Sequence, residues 1–585
     1  LTLLKNEQGI RLAHYTGAAK SETSDEAEMN IDVRKTGARI TAITYEGYRF
    51  KGATQATREG RDAYGGRSKA GNSTRENEIA LASGTYANVY GGWTSGVGTT
   101  AADKGASYEN KVKISGAATV TGTVYGGYTD AAGGKARGNA VTIESAVHDV
   151  VGGEGAGEAS GNTVDIRANA AAVTGGRGAA ANGNIVNLGN VTVASVTGGE
   201  GATTNNNEVH LNGNARVTGA LKGGSQASGT GNTLSVNAKN AAAKSVNNFE
   251  NYKFKLNSAT AFGDTMLTVT DAGDFAGTGV DMNKITVDRT GLSADYLATQ
   301  HGIKRITLLK RDNAADTLKF RNYAAKKAAD ATETHEFRLI TDNDTATANA
   351  LMLEASRFKG SRVNYDGSTA SYNGEIYGGI SREGHTTTDN QLTVTGIHGA
   401  NDPKFAFGGL NEGAAGNVTN SHATINLQNV ADEIAEVYGG MISNADNAGE
   451  VSGNSVTMQK GTVQKAFGGY TAGTGTVKNN TVNFSGSESA DHIAGAYVEN
   501  VANASEVTGN KVVFTGGTAD NINGAVSEGT GALKTNTIAF SGTGSMANTL
   551  RGAFSKTQGL VEENGVTISG GTVAHAYGAV ADGTG

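Results

Sequence analysis

The chain has no cysteine and a single proline, Pro403, among 585 residues. Disulfides and thiolate metal sites are thereby excluded, whatever the compartment. The near-absence of proline, with no Gly-X-Y period, excludes a collagen-like polymer in spite of 86 glycines. No run of about eighteen apolar residues occurs, so no segment is expected to cross a membrane as a helix. Charge is sparse as well. At 18% charged residues and a net charge of −7, nothing favours nucleic acid or an anionic membrane as partner. Hydrophobic content of 37% is nonetheless too high for simple disorder.

What fills the chain instead is Val, Ile, Thr and Asn in short alternating runs, the pattern of many short strands joined by tight turns. One phrase recurs: Val89-Tyr90-Gly91-Gly92, Val124-Tyr125-Gly126-Gly127, Ile376-Tyr377-Gly378-Gly379, Val437-Tyr438-Gly439-Gly440 and Ala466-Phe467-Gly468-Gly469. Weaker copies stand at Gly152-Gly153, Gly175-Gly176, Gly198-Gly199 and Gly223-Gly224. From Gly495-Ala496 onward the second glycine becomes alanine. A fixed period of this size predicts a solenoid, each repeat one coil stacked on the last.

A larger repeat is superposed on the small one. Leu1-Thr2-Leu3-Leu4-Lys5 returns as Ile306-Thr307-Leu308-Leu309-Lys310, and Arg49-Phe50-Lys51-Gly52 as Arg357-Phe358-Lys359-Gly360. Four segments follow: the tail of a β-rich spacer module (1–63), a first solenoid (64–244), a complete β-rich spacer module (245–375) and a second solenoid (376–585). Leu318–Ala329 could pass for a helix on its Ala and Lys content. Its counterpart around Gly9–Gly17 alternates between glycines, so a strand with a variable loop is expected in both copies.

Each coil carries two strand signals. One leads into the Gly-Gly phrase; the other follows an Asn, as in Gly161-Asn162-Thr163-Val164 and Gly509-Asn510-Lys511-Val512. Strands of this length rise about 3.3 Å per residue and stack into long parallel sheets. The expected fold is all-β: a right-handed parallel β-helix in two blocks separated by a non-repetitive module, its hand taken from the parallel-crossover rule. Val, Ile, Tyr and Phe are expected to point into a narrow core. The glycine pairs are expected at corners, often at positive φ, and the Asn residues in left-handed conformation with bonds up the stack.

Signals for chemistry are thin. Glu433 and Glu436 lie near one phrase, and Glu154, Arg177 and Glu200 follow successive phrases; the latter read as charge alternation rather than as a glycosidase acid pair. Neither a His-Glu-x-x-His motif nor a nucleophile elbow occurs, and the Gly-Gly-x-Gly phrases lack the Asp and the period of calcium-binding nonapeptides. No catalytic residue, metal or cofactor is therefore expected. The candidate binding residues are aromatic: Trp93 and Tyr128, directly after Gly-Gly in successive phrases, and Tyr470 and Tyr497 likewise in the second block. Facing outward, they would form a stripe suited to sugars or a protein partner; the plainer alternative is that they shield the coil's backbone.

The Val-Tyr-Gly-Gly coils resemble passenger domains of bacterial autotransporter adhesins. So does the spacer beginning Val246-Asn247-Asn248-Phe249-Glu250-Asn251-Tyr252-Lys253-Phe254. The resemblance implies a secreted, non-catalytic, elongated adhesin or stalk segment at the bacterial cell surface. Its partners would be a protein or glycan on a host or neighbouring cell, and its outer-membrane anchor would lie outside this chain. Leu1 opens directly on a strand-like stretch and a phrase stands at Tyr577-Gly578-Ala579, so both ends are expected to be cut from something longer. Two alternatives remain open: an extracellular filament formed by end-to-end association, and a glycan-active β-helix of a surface enzyme or phage tailspike.

Overall fold

The computed structural model describes residues 1–12, 21–95, 105–292, 303–313, 317–324, 327–399, 403–429, 432–486, 489–557 and 559–582. Among them there is no α-helix; the only helical turns are the 3-10 turns Gly273–Phe275 and Met282–Lys284. The protein is all-β, dominated by long parallel sheets that fit a β-solenoid. It divides into two compact units, Leu1–Ser293 with Ile306–Ala325 and Thr341–Met352, and Ala294–Arg305 with Lys326–Ile340 and Leu353–Gly585.

The first unit opens on an antiparallel sheet in the spatial order Thr2–Ile10, Arg39–Arg49, Ala27–Thr36, Ser21–Thr23. From Asp62–Ser68 onward, strands pair in parallel with their equivalents one repeat later. Tyr64 registers with Tyr90, Tyr90 with Tyr125, and Val150 with Val173. The ladder carries on past residue 244: Ala243 registers with Val269, Tyr252 with Ile285 and Leu267 with Leu309. Without the Gly-Gly phrase, that continuation has no signature in the sequence. Leu318–Arg321 and Lys327–Ala331 are strands, not a helix; of the counterpart at 9–17, residues 13–17 lie outside the described residues.

The second unit is the more regular. Each repeat gives one strand to each of three parallel sheets. Arg362–Tyr365, Gln391–Val394 and their successors form the first. Glu375–Ser381, Phe405–Asn411, Glu433–Ile442, Thr462–Thr471, Ser489–Val498, Thr518–Ser527 and Met546–Arg551 run through the second. Two-residue strands such as Val418–Thr419 and Val451–Ser452 make the third, which hydrophobic patterning is too coarse to detect. Alternate side chains of the first two sheets, Val394, Val437, Val456 and Ile493 among them, pack together into one buried core.

A row of stacked asparagines binds the repeats. Asn77, Asn110, Asn139, Asn162, Asn184, Asn207 and Asn232 are almost fully buried, and so are Asn454, Asn480, Asn510 and Asn536. Asn480 is representative. Its Nδ2 donates to Asn510 Oδ1 (3.0 Å) and to the Val451 carbonyl (3.0 Å), while its Oδ1 accepts from Asn454 N and Nδ2 (both 3.0 Å). All four hydrogen-bonding positions of the amide are thus filled inside the protein. In the second unit Ser421 interrupts the row between Asn390 and Asn454, its N–H still donating to Asn454 Oδ1 at 2.9 Å.

Two sequence expectations about backbone are corrected here. The buried Asn is not left-handed; the residue before it is. Glu76, Glu109, Asn206, Asp389, Asn420, Asn479, Thr535 and Glu563 have φ between 48° and 57°, and Gly161 and Gly509 stand equivalently. The Gly-Gly pairs, in turn, have no positive φ. Their cause is close approach between repeats. A Cβ on the first glycine of each phrase would meet a carbonyl oxygen of the next repeat at 2.2–2.6 Å, for example Gly91 against Gly126 O at 2.3 Å. In the second unit a Cβ on the second would meet the side chain of the stacked Asn or Ser, as Gly469 meets Asn480 Nδ2 at 2.5 Å; in the first unit Gly176 and Gly199 also face a backbone carbonyl, at 2.4 and 2.3 Å. Backbone cannot yield where a side chain can. The first glycine is therefore kept in every phrase, whereas the second becomes Ala496, Ala525 and Ala553.

The large duplication reaches down to single hydrogen bonds. Buried Glu28 accepts from Ser68 Oγ (2.8 Å), Lys69 N (2.5 Å) and Ala70 N (3.3 Å). Buried Glu336 accepts from Ser381 Oγ (3.0 Å), Arg382 N (2.5 Å) and Glu383 N (3.3 Å) in the second unit. In each unit one carboxylate thus holds the amides that leave the first Gly-Gly strand.

Candidate functional site

Besides its core the second unit holds two further apolar clusters, and one of them lies on the other side of the Gly-Gly strands. Val437 faces the core, while its neighbour Tyr438 points to the other side of the strand. There it meets residues that follow the glycines. Tyr377, Ile380, Phe407, Leu410, Tyr438 and Phe467 form this cluster, with Met441, Tyr470, Tyr497 and Phe554 packed against it half-buried. The aromatic of the phrase is thus no member of the narrow core expected from sequence. It forms its own stack: Tyr377–Phe407, Phe407–Tyr438 and Tyr438–Phe467 have ring centroids 5.5, 5.1 and 5.4 Å apart. In the first unit Tyr64, Tyr90 and Tyr125 stack at 5.2 and 5.0 Å.

The four candidate aromatics are all half-buried and lie beside these stacks. Trp93 and Tyr128 are register partners in the first unit, Tyr470 and Tyr497 in the second. Trp93 packs edge-on to Tyr64 and forms one wall around the Arg67 guanidinium, which lies 5.0 Å from Trp93, 4.4 Å from Tyr64 and 4.9 Å from Tyr48. With Glu59 as its ion-pair partner, Arg67 is enclosed, and the tryptophan serves that enclosure. Tyr128 meets Tyr90 and Tyr125 edge-on at 5.6 and 5.2 Å. Beyond it the same row continues as Glu154, Arg177 and Glu200, the guanidinium bridging the two carboxylates at 3.0 and 2.9 Å. Neither carboxylate is free to act as a lone acid.

Tyr470 and Tyr497 have a different setting. They stack on each other at 5.4 Å with 5° between the rings, and both line a groove of about 460 Å³. The groove opens because the row of phrase aromatics ends. Phe467 registers with Ala494, Ala494 with Asn523, and Asn523 with Arg551. A small residue and then polar ones stand where rings stood before, and the space they leave is the groove. Several of its lining residues are not named by the sequence pattern, His492, Asn523 and Arg551 among them. Setting the phrases under one another would have singled out Asn523 and Arg551, which stand where the row of rings breaks off, but not His492, which registers with Lys465.

The polar groups of the groove are mostly paired. Lys465 meets Glu436 at 2.7 Å and Lys556 meets Glu528 at 2.7 Å. Tyr497 donates to Glu528 at 2.6 Å, and Tyr438 donates to Glu436. Burial raises the phenols of Tyr470 and Tyr497, so both remain neutral donors near neutral pH. Burial, together with Lys465, Lys556 and Arg551, pushes His492 down to about 4, leaving a neutral imidazole. Asn523 Nδ2 reaches His492 Nε2 at 3.5 Å, and Asn523 Oδ1 is buried with no partner. Arg551 bonds Asn521 Oδ1 at 3.3 Å and lies 4.9 Å over the Phe554 ring. Alone of the three groove cations it has no carboxylate partner among the described residues. Chemically the groove offers aromatic edges, one unsatisfied acceptor, one guanidinium without a carboxylate, and the Glu499 carboxylate, which accepts from Tyr470. Among the described residues no group of three His, Asp or Glu is arranged to hold a metal ion. Comparison with family models, with curated proteins and with solved structures finds no match to this chain.

Proposed function

We propose that the chain is a non-catalytic binding and display segment of a secreted bacterial surface protein, similar to an autotransporter adhesin passenger. In this reading its fold is a right-handed parallel β-helix in two solenoid blocks, 64–244 and 376–585, with β-rich spacer modules at 1–63 and 245–375. The observation that supports it is the division of labour along the phrase. Its first glycine and the buried Asn are fixed by contact with the next repeat, while the residues flanking the glycines vary from repeat to repeat. A scaffold that is constant in its stacking and variable at one lined groove is suited to presenting a binding surface. Neighbour-only contacts also allow such a fold to form progressively as a chain emerges from a membrane.

The test uses beads coated with the purified chain, presented to epithelial cells and to bacteria. Saturable adherence, lost when the chain is denatured before coating, is expected. Adherence no greater than to albumin-coated beads would sink the adhesion reading. Ordered polymers in negative-stain micrographs would favour the filament instead, and release of reducing ends from a polysaccharide the glycan-active enzyme.

A further inference from the structure

We propose that the groove of the second unit binds an acidic saccharide, with the sugar carboxylate on Arg551 and a sugar hydroxyl on Asn523 Oδ1. This rests on the binding reading given above and names its ligand class.

Two unmet needs lie side by side. Asn523 is 0% exposed, and its Oδ1 is an acceptor without a donor. Such an orphan is costly unless something supplies the missing bond. One strand on, in direct register, stands Arg551, whose guanidinium has an amide and a ring but no carboxylate. Register partners in a parallel pair lie about 4.8 Å apart. A ligand that answers both must carry an anion and a hydroxyl or amide donor within a few ångströms of each other. A uronic or sialic acid residue has that arrangement on a single ring. The anion favours Arg551 over the lysines, because Lys465 and Lys556 already hold Glu436 and Glu528. Planar bidentate recognition of a carboxylate is what a guanidinium does best.

The walls agree with a sugar. Tyr470, Tyr497 and Phe554 supply apolar surface for ring C–H groups, while the neutral His492 adds a hydrogen-bonding edge without adding charge. A volume of about 460 Å³ lies within the usual range of small-ligand sites. A peptide is the less suitable occupant. Ser489–Val498 and Thr518–Ser527 lie inside the sheet, paired on both sides, so no strand edge is open for β-augmentation. Recognition must run through side chains alone.

Isothermal titration of the whole chain against trigalacturonate and sialyllactose, with lactose as the neutral control, tests the assignment. Saturable binding of at least one acidic sugar at sub-millimolar Kd is expected, with lactose at least tenfold weaker. Arg551→Gln should weaken the acidic sugar at least tenfold and Asn523→Ala at least threefold, both with unchanged melting temperature. Lys478→Gln, outside the groove, should bind as the parent does. The proposal is overturned if neither acidic sugar binds at 10 mM, if lactose binds equally, or if Arg551→Gln binds unchanged. An acidic peptide such as tetraglutamate competing at equal concentration would also overturn it. Arg551→Gln is run in the bead assay too. Beads that adhere as before, with no sugar bound by the parent, would refute the groove and leave the adhesion reading standing. Loss of adherence by the parent chain itself would refute that reading first.

Discussion

Replacing the first glycine of a phrase should cost far more than replacing the second, although the two are adjacent and both buried. Gly468 and Gly469 make the cleanest pair. A Cβ on Gly468 would lie 2.6 Å from the Gly495 carbonyl oxygen and 2.9 Å from Thr481 N. Carbon–oxygen contacts of this kind lie at about 3.3 Å or more, so the methyl is roughly 0.7 Å too close to backbone on the next repeat. Relief requires the two repeats to separate, at the expense of two or three ladder hydrogen bonds worth about 1 kcal/mol each. Residual overpacking adds about 1–3 kcal/mol, and the stiffer unfolded chain returns about 0.4–1 kcal/mol. The net loss for Gly468→Ala is about 2–5 kcal/mol. Gly469→Ala meets only the Asn480 side chain. Its register partner is already Ala496, and there the asparagine row is intact, with Asn480 Nδ2 on Asn510 Oδ1 at 3.0 Å and Asn510 Nδ2 on Asn536 Oδ1 at 2.9 Å. That variant should stay within about 1 kcal/mol of the parent, since side-chain relaxation costs little and the unfolded-state effect offsets it. Hydrogen exchange of the amides in 462–471, 481–484 and 489–498 reads both losses locally, as a stack with neighbour-only contacts requires. Equal protection factors in the two variants, or a benign Gly468→Ala, would refute the reasoning.

Three further outcomes follow from the same geometry. Thr535→Gly should stabilise by about 0.5–1 kcal/mol, because a β-branched residue at φ 53° carries about 1–2 kcal/mol of strain and glycine's added unfolded freedom takes back part of the relief; a lowered melting temperature would contradict this. Asn480→Ala strands Asn454 and the Val451 carbonyl and empties four buried hydrogen-bonding positions, so a loss of about 2–4 kcal/mol is expected, visible as fraying of the strands at 455–460 and 481–484 in hydrogen exchange. For His492 the folded value of about 4 lies below the ordinary 6.5, so between these pH values the unfolded chain binds more protons. Its contribution is complete above about pH 6.5 and is lost as pH falls toward 4, up to about 3 kcal/mol over that window. Urea midpoints measured from pH 7 to 4 should therefore fall less steeply in His492→Gln than in the parent; parallel slopes would count against a buried neutral imidazole.

Much of this was legible beforehand, and particular residues show where legibility ended. The period of Gly-Gly phrases announced parallel stacking, since a repeat of 23 to 35 residues must place like upon like. The return of Arg49-Phe50-Lys51-Gly52 at Arg357-Phe358-Lys359-Gly360 announced the duplication. In the structure the two stretches make the same bonds, Asn77 Nδ2 to the Phe50 carbonyl at 3.0 Å and Asn390 Nδ2 to the Phe358 carbonyl at 2.9 Å. Hidden were the two-residue strands such as Val418–Thr419, which are shorter than any hydrophobic period. Glu28 and Glu336 were hidden too, because the amides they hold are some forty residues away in sequence.

Sequence by itself determined which residues repeat, and hence that every strand would find its own successor beside it. Only the tertiary structure decided which way each repeated residue faces. Alternation along Glu433–Ile442 sends Val437 into the core and Tyr438 out of it, and past the glycines Met441 joins Tyr438 on that outer side. The phrase therefore encodes a scaffold, and the groove at Tyr470, Tyr497, Asn523 and Arg551 exists only where stacked repeats bring a break in that phrase together.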